Sequence, residues 1–516
     1  MSHLSAIING ERRYSSNSLF ESINPANSDD VVGIYSNATL EDCRDACNAA
    51  RTALIKWRLT PAPVRGGVLS NFAKLIEKNK EALSQLLTRE MGKPLREARG
   101  DVQEAIDTCH FFVSEGRRLY GQTIPSEMPL KELFTYRRSV GVFACITAGN
   151  FPVAVPSWYF IPALICGNTC VWKPSEDTPR LSVVFTELLE AAGLPRGVFN
   201  VVFGQGPDTG AKLVSLVDEG LIDKVGFTGS TEVGRNIGEI CGRNLQNPCL
   251  ELGGKNPLVV APDADLDLVA HGVVWSAFGT AGQRCTSLGN LIAHKSIKDA
   301  LIKKVLSKVS ELVIGDPMNE KTSFGPLISR KFLNAHEKNI ATLIQPHHKF
   351  LTAHNGAIPT GHTSPQFKGN AQKGCFAFAT IVDNVQKNDA LYSTETFGPF
   401  FNVMSYDSLD EAIDLANGTG YGLSSAIYTQ DMMTAYRFKN EISAGMTSIN
   451  NSTSGAEAHL PFGGNGKSGN GSRQSGIWVL DQFTKWQAVN WDMSGKLQLA
   501  QMDTNYIEPA DYTLTP

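Results

Sequence analysis

Residues 141–252 alternate between short apolar runs and longer segments of helical periodicity, and this alternation restricts the fold more than any other feature of the chain. The runs, rich in strand-forming residues, are 142–146, 169–173, 198–203, 224–227 and 249–252. Strands that alternate with helices of this length predict a parallel sheet of βαβ units. Ligands of such sheets bind beyond the carboxyl ends of the strands, so the residues that follow each run are the first candidates for a site.

The segments outside this block predict a second domain, because a chain of 516 residues exceeds the size of a single core. Ahead of the block, apolar residues recur at helical spacing over 40–58, 64–90 and 95–119. Two isolated strand-like runs, 130–140 and 483–491, are expected to lie apart from both domains. Residues 256–450 form another α/β stretch, with strand candidates at 258–260, 290–293, 377–382 and 401–406.

Composition argues against several classes of function. A formal net charge of −4, without a basic tail, does not favour nucleic-acid or membrane partners. No apolar run reaches the ~20 residues of a membrane span, and residues 1–4 lack the layout of a signal peptide. The cytoplasm is therefore the expected compartment, where the ten cysteines would be free thiols. No cysteine pair has a second pair at zinc-site spacing, so no metal is expected.

Cys285 is the cysteine best placed to act as a nucleophile. It follows an apolar segment, 266–280, that predicts a helix, and Gly282 and Gln283 would carry the chain through a turn. A cysteine at such a turn can present its sulfur to a cleft, where the thiolate is a strong nucleophile. The alternative is a small buried hydrophobic residue, which is what most intracellular cysteines are.

Two polar residues follow strands of the predicted sheet and suit catalysis. Glu251 lies in the fifth run beside Gly253 and Gly254, which would let a ligand approach a carboxylate acting as general base. Asn150 follows the first run, where its amide would be a donor for an oxyanion. Each also has a structural interpretation, Glu251 as a surface residue at a strand end and Asn150 as the cap of a helix that Pro152 starts.

Residues that suit a dinucleotide follow the second and fourth runs. Lys173 and Glu176 would hydrogen-bond the hydroxyls of a ribose, and a glutamate there would repel the 2′-phosphate of NADP. The alternative interpretation of this segment is a capped helix start. Residues 226–234 lead into a helix whose N-terminal N–H groups would meet a pyrophosphate, although their spacing differs from the usual Gly-x-Gly-x-x-Gly.

Seven motifs in order carry a resemblance to a known family. They are GNFP (149–152), KPSE (173–176), FTGSTEVG (227–234), ELGGKN (251–256), GQRC (282–285), ETFGP (395–399) and PFGG (461–464). With them the chain resembles the NAD(P)-dependent aldehyde dehydrogenase superfamily over essentially its whole length. The resemblance implies an α/β fold and a homodimer or homotetramer. Its parts would be a Rossmann-type parallel sheet domain that binds NAD (1–128 and 141–254), a second α/β catalytic domain (255–450) and a small oligomerisation sheet (129–140 and 470–500).

The resemblance implies catalytic roles that agree with the residue chemistry. Cys285 would attack an aldehyde to give a thiohemiacetal, whose oxyanion would be held by the Asn150 amide and the backbone N–H of Cys285. Oxidation would leave a thioester, which water activated by Glu251 would hydrolyse. A free thiol titrates near ~8.5, so Cys285 would need help from the cofactor's positive ring and from Glu251.

The resemblance implies NAD as the cofactor, with NADP less favoured. Glu395 would bind the nicotinamide ribose, and Phe397 would pack against that end of the cofactor. Ser230 would hold the pyrophosphate, while Lys173 and Glu176 would hold the adenine-side ribose. The remaining cofactor contacts are expected at Ile146, Ser175, Gly229, Gly234 and Leu252.

The substrate is expected to be a small-molecule aldehyde that meets the loop 451–460. Its Ser-Gly-Ala segment resembles the loop of glutamate-semialdehyde and succinylglutamate-semialdehyde dehydrogenases, where small residues leave backbone N–H groups free for a carboxylate. The alternative is a glycine turn without a ligand. The candidate contacts are Ser454, Gly455 and Arg284 for the carboxylate, and Trp158 and Phe397 for the apolar part.

Two other functions fit the same motifs less well. A coenzyme A-acylating aldehyde dehydrogenase would pass the acyl group to a thiol, and Glu251 argues against it because only hydrolysis needs that base. A non-catalytic structural or binding protein can keep the same fold. The joint presence of Cys285, Glu251 and Asn150 argues for catalysis instead.

Overall fold

The computed structural model describes residues 1–515. Within that range the strands are β1 (His3–Ile8), β2 (Glu11–Ser15), β3 (Leu19–Ile23), β4 (Val31–Ser36), β5 (Thr123–Ile124), β6 (Lys131–Ser139), β7 (Val142–Ile146), β8 (Thr169–Lys173), β9 (Phe199–Val202), β10 (Lys224–Thr228), β11 (Cys249–Glu251), β12 (Asn256–Val260), β13 (Leu288–His294), β14 (Ile314–Gly315), β15 (Lys349–Phe350), β16 (Phe367–Lys368), β17 (Thr380–Asp383), β18 (Phe400–Tyr406), β19 (Tyr421–Gly422), β20 (Ser424–Tyr428), β21 (Met446–Ile449), β22 (Asn465–Gly466) and β23 (Thr484–Asp492).

The helices of the same range are α1 (Leu40–Trp57), α2 (Ala62–Lys78), α3 (Lys80–Met91), α4 (Leu95–Glu115), α5 (Ala154–Ile165), α6 (Pro179–Ala191), α7 (Ala211–Ser215), α8 (Thr231–Arg243), α9 (Leu266–Phe278), α10 (Lys298–Val309), α11 (Arg330–Leu343), α12 (Ala390–Ser393), α13 (Leu409–Asn417), α14 (Met432–Glu441) and α15 (Leu480–Phe483). Short 3₁₀ segments lie at Gly279–Gly282 and Ile477–Val479, and a π-helical turn lies at Gly206–Gly210. Each of these helices is too short or too polar to cross a lipid bilayer.

The first sheet contains the five strands predicted from the alternation. Their order is β11-β10-β7-β8-β9, and all neighbouring pairs are parallel. The N-terminal strands extend this sheet, with β1 antiparallel to β9 and followed by β4 and β3. β7, β8 and β9 are buried at every residue, as expected for strands covered on both faces. The predicted parallel sheet is confirmed.

The second sheet lies in the later half of the chain, in the order β15-β17-β18-β13-β12-β20-β21. Its strands are parallel except for β15, which is antiparallel to β17. The strand predicted at 377–382 begins later, at Thr380, and Ala377 instead makes an isolated bridge to Ala357. The α/β class with two parallel-containing sheets is confirmed.

The two outlying strands pair with each other in a third sheet. β6 and β23 are antiparallel from Lys131 opposite Asp492 to Ser139 opposite Thr484, and β5 adds a short edge. The side chain of Trp486 stays half-exposed on this sheet, with the Arg137 guanidinium 4.2 Å from its ring centre.

One helix prediction is wrong. Residues 64–90 do not form a single helix, because α2 and α3 are separated at Asn79, whose φ of −106° and ψ of 12° are not helical. The Asn79 Nδ2 donates a hydrogen bond of 2.7 Å to the carbonyl of Leu75, so its side chain competes with the backbone for a partner. The break still leaves Phe72 of α2 and Leu83 of α3 in one core cluster.

Candidate active site

An unusual turn carries Cys285 away from α9. Thr280, Ala281 and Gly282 follow one another with φ values of 52°, 53° and 69°, all in the left-handed region. For the two residues that have a side chain this conformation costs roughly 1–2 kcal/mol each. A Cβ on Gly282 would lie 2.0 Å from the carbonyl oxygen of Gly398, so the turn is also pressed against a second loop. Such a strained conformation persists only where contacts with neighbouring groups hold the backbone in it.

Gln283 ties the turn to Asn150. The buried Gln283 side chain accepts a hydrogen bond of 2.8 Å from the N–H of Ile328 and donates one of 3.2 Å to the carbonyl of Thr280. The Asn150 Nδ2 donates a hydrogen bond of 2.9 Å to the carbonyl of Gln283. One amide hydrogen of Asn150 therefore orients the side chain, and the amide group has no second acceptor within residues 1–515.

The surroundings of Cys285 favour the protonated form of its thiol over the thiolate. Cys285 is partly exposed, whereas the other nine cysteines of the described chain are buried. Burial first, and then the charges of Glu251 and Glu395, raise the pKa of Cys285 to about 12, against hydrogen bonds from the backbone N–H groups of Cys285 and Thr286. An opposing positive charge or a nearby base is needed to ionise it.

Glu251 is the last residue of β11 and meets the requirements of a base. It is 4% exposed, and neither carboxylate oxygen has a hydrogen-bond partner within residues 1–515. Burial raises the pKa of Glu251 well above its ordinary value, opposed only in part by Arg473. A Cβ on Gly463 would lie 2.8 Å from its Oε1, so the glycine leaves that oxygen room. A carboxylate without a partner and with a high proton affinity accepts protons readily.

The predicted cofactor residues cluster at one edge of the first sheet. Ile146, Lys173 and Glu251 each end a parallel strand, β7, β8 and β11, so they meet at the same edge. The ammonium of Lys173 lies 3.1 Å from the carboxylate of Glu176. Burial lowers the pKa of Lys173, and Glu176 opposes that effect. Ser230 caps α8 by accepting the N–H of Val233, which leaves the first N–H groups of that helix for an anion.

The predicted glycines at this edge make close packing possible. A Cβ on Gly234 would lie 2.4 Å from the Leu252 side chain, so α8 can approach the end of β11 only with glycine there. The N–H of Gly229 donates 3.1 Å to the carbonyl of Glu251. Ser175 is buried, and its Oγ accepts the N–H of Asp177 at 3.2 Å, which fixes the turn after β8.

Glu395 and Phe397 approach this edge from the second sheet. The Glu395 Oε1 accepts a hydrogen bond of 3.0 Å from the N–H of Gly254, and burial raises the pKa of Glu395 to about 7. Phe397 has a φ of 40°, again left-handed, and its ring centre lies 6.0 Å from that of Phe332. The loop that holds both residues is the one pressed against Gly282.

With one exception, the remaining predicted substrate residues lie in the core cluster that Cys285 contacts or in the loop that contacts the next residue, Thr286. Trp158, from the fully buried α5, lies with its ring centre 4.6 Å from that of Phe462. Cys285 and Ala456 pack against the core cluster that contains both rings. Ser454 Oγ contacts the carbonyl of Thr286 at 3.3 Å. Gly455 is exposed with a φ of 157°, and its N–H and that of Ala456 have no acceptor within residues 1–515.

The exception is Arg284, for which the carboxylate contact is corrected. Its guanidinium lies 2.5 Å from the Glu97 carboxylate, with the two side chains 9% and 5% exposed. The same guanidinium stacks 4.3 Å above the ring of Trp275. A cation that is buried, paired and stacked is not free to bind a substrate carboxylate.

Sequence reasoning missed a group of buried charges on α4. Glu97 contacts Arg284, and Asp101 pairs with Lys93 at 2.7 Å with both side chains fully buried. Glu104 has a buried Oε1 without a partner among residues 1–515, and burial raises its pKa to about 8. The three acidic residues are spaced i, i+4, i+7, which places them on one helix face. That spacing, on a face otherwise lined by apolar residues, was the available signal.

One group of metal-ligating side chains lies away from this site. His347, His348 and Asp389 have ligand atoms within 4.8 Å of one another, the only such group of three within residues 1–515. His348 Nδ1 accepts the N–H of Gln345, and its Nε2 lies 2.8 Å from the Asp389 carboxylate. Both ring nitrogens of His348 therefore already have hydrogen-bond partners, which a metal ion would have to displace.

Comparison with known proteins decides the family. Residues 12–489 match the family model described as aldehyde dehydrogenase family. The chain belongs to this family. The resemblance drawn from the seven motifs is therefore confirmed, and the dehydrogenase is an oxidoreductase that acts on aldehydes.

Relatives of the dehydrogenase include semialdehyde dehydrogenases. It is 35% identical over 483 residues to the alpha-ketoglutaric semialdehyde dehydrogenase of Bacillus subtilis (strain 168), covering 93% of this chain and 96% of that protein. It is 35% identical over 477 residues to the succinate-semialdehyde dehydrogenase (NADP(+)) GabD of Escherichia coli (strain K12), covering 92% and 95%. A crystal structure of betaine aldehyde dehydrogenase from Staphylococcus aureus in complex with NAD+ matches with a TM-score of 0.89 and 30% identity, covering 96% of each chain.

Proposed function

We propose that this dehydrogenase oxidises a carboxylate-bearing semialdehyde to the acid with NAD, through a thiohemiacetal and a thioester on Cys285. The observation that carries the proposal is the placement of three groups at one loop. Cys285 lies where the unpartnered carboxylate of Glu251 raises its pKa, and Asn150 is bonded to the residue two positions before it. Nucleophile, base and oxyanion donor are then available together.

The first step is addition of the thiol to the aldehyde carbon. The Cys285 sulfur forms a bond to that carbon, and the thiol proton moves to the Glu251 carboxylate, whose pKa burial raises. The carbonyl oxygen becomes an oxyanion as its double bond opens. It would be held by the second amide hydrogen of Asn150 and by the backbone N–H of Cys285. Donors fixed before the reaction stabilise such charge without reorganising.

The second half of the reaction is hydrolysis of the thioester. Glu251 first releases the thiol proton to solvent and then takes a proton from water, the water oxygen bonds to the acyl carbon, and the carbon–sulfur bond breaks. The products are the carboxylic acid and the Cys285 thiolate, which recovers its proton. Glu251 suits this role because no partner within residues 1–515 occupies its oxygens. A base with a raised pKa drives water deprotonation better than an ordinary surface glutamate.

The residues at the sheet edge fit a dinucleotide. Bound NAD would supply the oxidising equivalent that converts the thiohemiacetal to the thioester. The free N–H groups at the start of α8 would hold the pyrophosphate. Glu395 would accept hydrogen bonds from the nicotinamide-ribose hydroxyls. At the adenosine ribose Lys173 would donate to a hydroxyl oxygen and Glu176 would accept from a hydroxyl. The negative charge of Glu176 supports NAD over NADP, although the relatives named above include both an NAD+ complex and an NADP(+) enzyme.

The substrate class is supported by the anchor loop, defined here as residues 451–460. Its Gly455 and Ala456 N–H groups have no acceptor among the described residues, and Ala456 packs against the core cluster that Cys285 also contacts. Two adjacent backbone N–H groups bind a carboxylate without the entropy cost of long side chains. The named relatives act on alpha-ketoglutaric and succinate semialdehydes, which agrees with a carboxylate at the far end of the substrate.

The test measures the rate of NADH formation, from its absorbance, with each aldehyde of a panel. The Cys285→Ala variant is the inactive control. We expect kcat/KM for four- and five-carbon semialdehydes to exceed that for hexanal by at least tenfold. Equal values would remove the carboxylate from the proposal and leave simple aldehyde oxidation. Formation of an acyl-CoA when coenzyme A is added, in place of free acid, would support the acylating alternative.

We also propose an organisation and a location for the enzyme. The first sheet, from residues 1–128 and 141–254, would be the NAD-binding domain, with residues 255–450 as the catalytic domain. The β6–β23 sheet, within segments 129–140 and 470–500, supports a homodimer or homotetramer because it leaves Trp486 half-exposed. A light-scattering mass near 55.9 kDa, the mass of one chain, would contradict this. Ten free cysteines support the cytoplasm as the location.

A further inference from the structure

We propose that Glu97 is a positioning residue for the catalytic thiol, because with Arg284 it clamps the left-handed turn that carries Cys285. The clamp is defined as Glu97, Thr280 and Arg284. The proposal deepens the role given above to Cys285 and rests on it. Glu97 belongs to α4, which is far from this loop in the chain, so the clamp joins two separate parts of the fold.

Glu97 engages both ends of the turn. Its Oε1 accepts the backbone N–H of Thr280 at 3.1 Å, and its Oε2 accepts the Thr280 hydroxyl at 2.5 Å. The same Oε2 accepts Nη2 of Arg284 at 2.5 Å. Arg284 and Thr280 are also bonded to each other, since the Arg284 Nε donates to the Thr280 Oγ1 at 3.2 Å. A single buried carboxylate is thus bonded to the first residue of the turn and to the neighbour of Cys285.

The turn needs an external restraint. Thr280 and Ala281 carry side chains but adopt φ values of 52° and 53°, which chains of L-residues leave when they are free to do so. Thr280 is held in this conformation by a charged acceptor, and hydrogen bonds to a charged acceptor are the stronger kind. Release of Glu97 would let the turn relax toward ordinary backbone angles and would move the residues that follow it.

The charge of Glu97 is sustained by its partner. Burial would raise the pKa of Glu97, but the charge of Arg284 and the hydrogen bonds from Thr280 hold it below its usual value. The carboxylate is therefore ionised near neutral pH, as the clamp requires. Removal of either member leaves an unpaired buried charge, which favours rearrangement of the loop.

The clamp and the Asn150 contact both act on the segment that leads into Cys285. Asn150 fixes the carbonyl of Gln283, and Glu97 fixes Thr280 and Arg284. Together they hold three of the five residues that precede the thiol: Thr280, Gln283 and Arg284. Small displacements of a reacting group lower the rate steeply, about a hundredfold for ~1 Å. We infer that loss of the clamp mainly changes the reactivity of the thiol.

The experiment compares Glu97→Gln and Arg284→Met with Glu90→Gln. Glu90 is a matched control, since it is buried and accepts two backbone N–H groups, of Arg180 and Leu181, and the hydroxyl of Ser22, away from this loop. The readouts are the pH profile of Cys285 alkylation by iodoacetamide, followed by mass spectrometry, and separate kcat and KM values. We expect alkylation and kcat to fall tenfold or more in both clamp variants, with KM for NAD within threefold of wild type.

The Glu90→Gln control and a double-mutant cycle distinguish an effect on the position of Cys285 from a loss of overall stability. Glu90→Gln should lower the melting temperature yet leave the alkylation profile unchanged. The double variant Glu97→Gln/Arg284→Met should be no slower than the worse single variant, because both changes open the same clamp. Alkylation of the clamp variants within twofold of Glu90→Gln would overturn the proposal.

A third variant covers the case in which Glu97→Gln does not fold. Thr280→Val keeps the volume and removes only the hydroxyl, so it should fold and lower kcat about threefold to tenfold. A wild-type alkylation profile in Thr280→Val would then count against the clamp. Alkylation needs no aldehyde, so failure of the semialdehyde panel with slowed alkylation would contradict the proposed substrate and leave the clamp standing.

Discussion

The carboxylate of Glu395 accepts a hydrogen bond of 3.0 Å from the backbone N–H of Gly254. Glu395 lies ahead of β18 in the second sheet, and Gly254 follows β11 in the first, so this bond joins the two sheets. A Cβ on Gly253 would lie 2.0 Å from Glu395 Oε2, which only glycine avoids. The contact fixes the position of the Glu395 carboxylate, the proposed partner of the nicotinamide ribose, relative to Glu251.

Affinity for NAD should depend on the protonation of Glu395. Burial raises the pKa of Glu395 to about 7, so the carboxylate loses its charge in mildly acidic solution. We expect KM for NAD to rise about tenfold from pH 8 to pH 6, because a neutral carboxyl accepts ribose hydroxyls less strongly. Kinetics with NAD varied at saturating aldehyde measure this. In Glu395→Gln the KM should be flat with pH, and a slope as steep as that of wild type would assign the titration to another group.

The same raised pKa sets the sign of a stability prediction. The folded pKa of about 7 exceeds the ordinary value of 4.5, so the folded state binds more protons between those values. Stability contributed by this group is therefore present below pH 4.5 and is lost as pH rises through 7. Glu395→Gln, which never ionises, should melt higher than wild type at pH 8 and by clearly less at pH 5. A constant difference in melting temperature would show that the buried charge is not responsible.

Glu251→Gln should separate the two halves of the reaction. The amide keeps the shape of the side chain but cannot take a proton from water, so hydrolysis should slow about a hundredfold or more. Acyl-enzyme should accumulate and appear in the intact-protein mass spectrum as Cys285 carrying the substrate acyl group. Pre-steady-state NADH absorbance should show a burst of about one equivalent. The burst requires that the positive ring of the cofactor ionise the Cys285 thiol in this variant without Glu251 as the proton acceptor. If the burst is absent and no adduct forms, transfer of the thiol proton to Glu251, and not hydrolysis, is the step that the variant blocks.

Asn150→Ala should lower kcat about a hundredfold to a thousandfold, the usual loss for one oxyanion donor. Asn150→Asp is the informative comparison, since it keeps the size but replaces the amide donors with a charge near the oxyanion. Both variants also lose the bond to the carbonyl of Gln283. The alkylation rate of Cys285 reports that loss separately from the oxyanion effect. A kcat within threefold of wild type in both variants would remove Asn150 from the oxyanion site.

Much of this site was predictable because its residues stand at strand ends. Lys173 and Glu251 are the last residues of parallel strands, and parallel strands bring their carboxyl ends to one edge. The order of short apolar runs was therefore enough to predict that they meet. Cys285 lies in the other half of the chain, and only the motif resemblance predicted that it belongs to the same site as Glu251.

The parts that failed depend on individual side-chain contacts that apolar periodicity does not reveal. Arg284 looks like a free cation in sequence, and only the fold reveals that Glu97 of α4 neutralises it. The break at Asn79 could not be seen in the apolar periodicity, which continues across it. Left-handed angles at Thr280 and Ala281 have no sequence signal either, because such residues normally avoid them. At Arg284 and Thr280 a tertiary contact with Glu97 decides the local structure, whereas at Asn79 a local hydrogen bond to the carbonyl of Leu75 does.

Choice of cofactor should follow the charge at Glu176. Its carboxylate lies 3.1 Å from the Lys173 ammonium, and Lys173 with the hydrogen bond it gives holds the pKa of Glu176 below its ordinary value despite burial. The group is therefore anionic where a 2′-phosphate of NADP would lie. Glu176→Gln removes the repulsion and frees Lys173, so kcat/KM for NADP should rise at least tenfold while that for NAD falls only a few-fold. Glu187→Gln, a surface carboxylate paired with Arg12, serves as the control for a general change in charge. If the ratio of kcat/KM for NADP to that for NAD is the same in Glu176→Gln as in Glu187→Gln, the cofactor preference is set by another residue of the ribose pocket.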